Sequence, residues 1–153
     1  EKYLLSQFSI NTNINMHVFE LQKNLKQDVQ NIVKQKFYRD KLYYWNISEG
    51  DSTIAYAFLD NVIGKSMPIT FMVILNINGD IIDANVIKYR EAYGGEIGHN
   101  IWLRQFVNRN NKSDYKVGQN IDGITGATIS VNSLSKGIYK IAVLFPLIKK
   151  SLK

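Results

Sequence analysis

Cysteine is absent from all 153 residues. That excludes thiolate-ligated iron–sulfur and zinc centres, thioether haem attachment, disulfides and thiol nucleophiles. It says little about compartment, because many exported chains also lack unpaired thiols. Histidine is nearly absent too: His17 and His99 stand far apart and give a bis-histidine haem no support. Proline occurs only at Pro68 and Pro146. The longest apolar run, Ile141 to Ile148 with Pro146 tolerated, falls well short of the about twenty residues a bilayer span needs, so the chain reads as a soluble unit. Its first residue is Glu1 rather than Met, from which a lost leader or anchor is expected.

Apolar residues make up 45% of the chain, enough for a core without metals or crosslinks, and one domain over 1–153 is expected. Lysine and arginine exceed the acids by 19 to 13. The basic residues are dispersed and no binding motif accompanies them, so nucleic acid is disfavoured as a partner. The one dense cluster, Lys34 to Lys41, reads as the solvated end of a helix.

Spacing from Val18 through Leu21, Leu25, Val29, Ile32 and Val33 predicts an N-terminal helix reaching about Phe37, with residues 1–50 forming that helix and its lead-in. "LYYWNI" and "STIAYAFLDNVI" read as strands, and "IGKS" as a turn. "PITFMVILNI" and "IIDANVIKYR" then flank Asn78-Gly79-Asp80, a strong hairpin signal. The glycine-bearing "REAYGGEIGHN" breaks this pattern, "IWLRQFV" reads as a short helix, and "NRNNKSDYKVGQN" as a polar loop. Leu134, Ile138, Ile141, Ala142, Phe145 and Ile148 mark a C-terminal helix with Ser130 or Ser133 as its cap. The order predicts an α+β fold: a small antiparallel sheet with helices packed against it, and a core region over residues 51–150.

Before that last helix stands "DGITGATIS", Asp122 to Ser130. Gly123 and Gly126 let the backbone turn and a bulky group approach, and a following helix aims free N–H groups at whatever precedes it, as suits phosphate. On spacing alone a simple capping loop reads more readily. A Walker loop does not fit, since Ala127 and Thr128 stand where a lysine should follow the last glycine.

The stretch resembles the covalent-flavin signature of the FMN-binding domain family, found in flavin-carrying subunits of the sodium-pumping quinone reductase and the Rnf complex. That signature runs Asp, two variable positions, Ser or Thr, Gly, Ala, Ser or Thr. Asp122, Thr125, Gly126, Ala127 and Thr128 match in order. The resemblance covers roughly 56–148 and includes "GKSMPITFMVILNINGDIIDANVIKYRE", similar to the family's paired strands before a glycine-rich flavin loop. It implies FMN held to Thr128 by a phosphoester bond. It also implies a magnesium-dependent flavin transferase, with FAD as donor, as maturation partner, and Asp122 as that enzyme's recognition or metal-orienting element. An Asx-turn is the plainer reading of Asp122. In place of the family's Glu-Thr-Pro-Gly loop this chain has "EAYGGEIG", onto which Glu91, Gly94 and Gly95 carry over.

For the flavin ring, Tyr93 is a stacking candidate, whereas Trp102 and Phe106 at four-residue spacing read as core. Lys65, Lys88 and Arg90 are candidate cations near the ring, with Lys88 read as a solvated strand end. His99 reads as a polar loop residue, and His17, placed on the N-terminal helix, receives no role. The function expected is extracytoplasmic electron transfer between membrane or surface redox proteins. The alternatives are a flavin-dependent reductase of a small acceptor and an exported, non-redox binding module.

Overall fold

Runs rich in β-branched and aromatic residues build five strands: β1 (Thr12–Glu20), β2 (Lys41–Glu49), β3 (Ser52–Ile63), β4 (Pro68–Asn76) and β5 (Ile81–Lys88). The computed structural model describes all 153 residues. Its strands form one antiparallel sheet in the order β1-β2-β3-β4-β5, so every strand pairs with its sequence neighbour. Four helices complete the fold: α1 (Lys2–Gln7), α2 (Lys23–Val33), α3 (Asn100–Leu103) and α4 (Thr128–Ile148). The class is α+β, as the element order in the sequence indicates.

The hairpin at 76–81 forms where the sequence places it. Asn76 Oδ1 accepts the N–H groups of Asn78 at 2.9 Å and Asp80 at 3.0 Å, and so closes the turn with its own side chain. Strand β4 is buried on both faces. Phe71, Val73 and Leu75 enter the larger core with α2 and α4, while Met72 and Ile74 join Trp45, Ile47 and Ala57 beneath Leu4 of α1. This explains why "FMVIL" reads as a continuous apolar run and not as an alternation.

Helix α4 is the central element, with buried residues on nearly all sides from Ser130 to Ile148. Together with the short turn that follows, it is long and apolar enough to cross a membrane by length and composition, but 67% of its apolar stretch is buried inside the protein. Pro146 lies within it, in the last turn.

Three expectations near the N-terminus are corrected. Val18 and His17 lie in β1, not in a helix, and α2 begins only at Lys23 and ends at Val33. The deciding signal is Ile14, Met16 and Val18 at period two, paired with Ile47, Trp45 and Tyr43 of β2. The first fifty residues thus contribute β1, where a helix and its lead-in were expected, as well as β2, which holds the expected strand "LYYWNI". Lys34, with φ of 60°, caps α2, and the following segment is a packed loop whose Phe37 is buried.

That loop is pinned by a buried charge. Lys140 of α4 is fully enclosed, and its ammonium lies 3.3 Å from Asp60 Oδ2 on β3, donates to the Lys36 carbonyl at 3.0 Å and sits 4.8 Å from the Phe37 ring centre. Burial pushes the Asp60 carboxyl up and the Lys140 ammonium down, while each opposes the other's shift by attraction. Removing one partner strands the other in the core. Asp60→Ala is expected to cost about 3–5 kcal/mol, and the double change Asp60→Leu with Lys140→Met to recover most of it, read from urea unfolding midpoints.

Candidate functional site

Two loops and one helix end meet at a cleft. The β3–β4 loop contributes Lys65 and Ser66, the segment after β5 contributes Tyr89, Glu91, Ala92, Tyr93, Gly94 and Glu96, and the start of α4 contributes Thr125 to Ser130. The cleft encloses about 720 Å³, within the range of about 300–1,000 Å³ usual for cofactor sites.

The β3–β4 loop is held by Glu91. Its Oε1 accepts the N–H groups of Ser66 at 2.8 Å and Met67 at 2.9 Å, and Ser66 Oγ donates to Oε2 at 3.3 Å. Those N–H groups hold the Glu91 carboxyl below the usual carboxylate range. On the opposite wall, Gly94 has a φ of +80°, and a Cβ there would stand 2.6 Å from the Ala127 Cβ and 3.0 Å from the Tyr89 hydroxyl. Only glycine lets the two loops approach this closely. The Tyr89 hydroxyl donates to the Tyr93 carbonyl and closes the loop on itself.

The start of α4 carries no cap. Ala127 occupies the N-cap position, no side chain accepts from the first turn, and the earliest helical bond runs from Val131 N–H to the Ala127 carbonyl at 2.9 Å. Neither Ser130 nor Ser133 caps the helix, contrary to the sequence expectation. The N–H groups of Thr128, Ile129 and Ser130 therefore have no acceptor in the protein. Unpaired donors at the positive end of a long helix form an anion seat. Thr128 itself is exposed and lines the cleft beside them.

The family described as the FMN-binding domain matches residues 64–142, a stretch that holds every residue lining the cleft. The chain belongs to the FMN-binding domain family. No curated protein matches the chain. The residues suit this cofactor. An FMN-binding domain must seat a phosphate and a broad ring, and this one offers three unpaired amides, the Lys65 ammonium and an exposed Tyr93 around a roomy cleft.

The cleft brings together most of the residues singled out in the sequence: Lys65, Glu91, Tyr93, Gly94, Thr125, Gly126, Ala127 and Thr128. Five others lie outside its lining. Arg90 is committed to β4, donating to the Pro68 carbonyl at 2.8 Å and to Thr70 Oγ1 at 3.1 Å. Asp122 is exposed, and its main chain is held by Trp102 Nε1 at 2.8 Å and Gln105 Oε1 at 2.8 Å. Gly95 and His99 are exposed, as is Lys88 at the end of β5. Trp102 and Phe106 are core, packed edge to face at 5.2 Å. Sequence reasoning missed Ser66, Tyr89, Glu96, Ile129 and the inward role of Ser130. Ser66 was legible only as the neighbour of Lys65.

Two outcomes follow from this geometry. Gly94→Ala combines backbone strain with overlap and is expected to cost about 2–4 kcal/mol, against about 1–2 kcal/mol for Gly126→Ala, whose φ is +81° in open space. Chemical denaturation of the two variants checks the order. Glu91 has a lowered pKa, so its hold on the loop is complete above the ordinary value of 4.5 and is lost as pH falls through the folded-state value. Amide protection at Ser66 and Met67 should fall on acidification in the native protein and be insensitive to pH in Glu91→Gln.

Proposed function

We propose that the chain carries FMN esterified through its phosphate to Thr128 Oγ1 and serves as an extracytoplasmic electron carrier. The observation that supports this is the placement of the Thr128 hydroxyl at the mouth of an uncapped helix, beside three amides without acceptors. FMN, when bound, supplies one- and two-electron chemistry through its ring. The residues of the chain bind and orient it. The amides of α4 and Lys65 face the phosphate end, and Tyr93 and Gly94 offer a flat, approachable wall to the ring.

A threonine hydroxyl needs a base to act as nucleophile. Glu91 and Glu96 line the cleft, but the Glu91 carboxyl is held below its ordinary range and is correspondingly a weak base. His99 is not among the lining residues. Activation is therefore assigned to a separate, magnesium-dependent transferase. In the step proposed, Thr128 Oγ1 forms a bond to the flavin-side phosphorus of FAD, the pyrophosphate bond breaks, AMP leaves and the hydroxyl proton passes to the transferase's base. Asp122, exposed on the loop before the motif, is accessible to such an enzyme.

A tethered cofactor suits a compartment where lost flavin is not replaced, and a phosphate tether leaves the ring electronically unaltered. Membrane or surface redox proteins are the partners proposed.

Intact-mass measurement after co-expression with a transferase tests the attachment. Wild type is expected to gain the mass of one FMN less water, Thr128→Ser to retain part of the label and Thr128→Ala to gain nothing. Label retained in Thr128→Ala but lost in Thr125→Ala would move the bond to Thr125.

A further inference from the structure

Ser130, third residue of α4, is only 4% exposed and lines the cleft, yet its hydroxyl makes no hydrogen bond within the protein. The residue is buried but its hydroxyl opens on the cleft, where only solvent or a ligand can partner it. Its Oγ comes within 2.9 Å of the point where a Cβ on Gly64 would stand, a point equally close to Glu91 Oε1. Gly64 thus leaves open the room into which this hydroxyl reaches. The Glu91 oxygen on that side already accepts two N–H groups, so its charge is partly spent. Lys65, next to Gly64, lines the same cleft and forms no ion pair.

We infer that Ser130 Oγ is a phosphate donor that, with the unpaired amides of Thr128, Ile129 and Ser130, makes this cleft select phosphorylated flavin before any bond to Thr128 exists. The inference rests on the reading of the cleft as the FMN phosphate site, but not on the ester. Ser130 is a specificity-determining residue in this account: its hydroxyl distinguishes a flavin bearing a terminal phosphate from one lacking it.

The test uses the full chain with Thr128→Val, prepared without transferase, titrated with FMN and with riboflavin by fluorescence quenching. FMN is expected to bind at least about tenfold more tightly than riboflavin, since hydrogen bonds to a charged group are worth about tenfold to a hundredfold in affinity. Adding Ser130→Ala should weaken FMN by about tenfold or more, leave riboflavin unchanged and leave the flavin-free melting temperature nearly unchanged. Ser130→Asp, whose carboxylate suits a helix N-terminus, should abolish the preference for FMN while riboflavin still binds. A FMN-to-riboflavin ratio unmoved by both changes, or no flavin binding to the Thr128→Val protein, overturns the inference. Covalent labelling of wild type is read separately. Label on Thr128 with an unmoved ratio removes only the Ser130 assignment, whereas a ratio that collapses as expected without any label removes only the ester.

Discussion

Three amide groups at the start of α4 find no acceptor in the chain, and the arrangement of the site follows from them. A helix end left in this condition is met by water, a side-chain cap or a ligand. No side chain caps it: the N-cap is Ala127, and Ser130 stands inside the first turn and lines the cleft. The rest of the protein keeps that helix end in place. Burial along α4 and the Lys140 to Asp60 contact fix the helix against β3. Gly94 then allows the flavin-side loop to close on Ala127, and Glu91 draws the Lys65 loop to the same point.

Much of this was legible because short-range rules operate where the chain is most regular. Asn78-Gly79-Asp80 fixed a hairpin through turn chemistry alone, and the spacing from Leu134 to Ile148 reported a helix buried on nearly all sides. The N-terminal region failed for a physical reason. Val18, Leu21 and Leu25 happen to fall at helical spacing although they belong to a strand end, a connection and a helix, and the connection hides the change of period. Only Ile14, Met16 and Val18, paired against β2, carried the strand signal.

At the site, the motif from Asp122 to Thr128 located the helix end, while the walls were less readable. Tyr93 lines the cleft, but Arg90, although it stands between the lining residues Tyr89 and Glu91, is claimed by the β4 backbone and Thr70. No local pattern distinguishes a strand-end arginine that bonds its neighbour from one that reaches a ligand. Ser130 was read as a cap because serine before an apolar run usually is one. Its actual position, within the first turn and without a partner in the protein, is a property of three-dimensional packing.

The ester to Thr128 is most directly examined by phosphorus NMR of the matured protein. A phosphodiester has no ionisation near neutrality, whereas the terminal phosphate of free or loosely held FMN titrates with a pKa of about 6. The account predicts a single protein-bound resonance that stays fixed between about pH 5 and 8 and survives denaturation on the polypeptide. A resonance that shifts through pH 6, or that leaves with the flavin on unfolding, would contradict it.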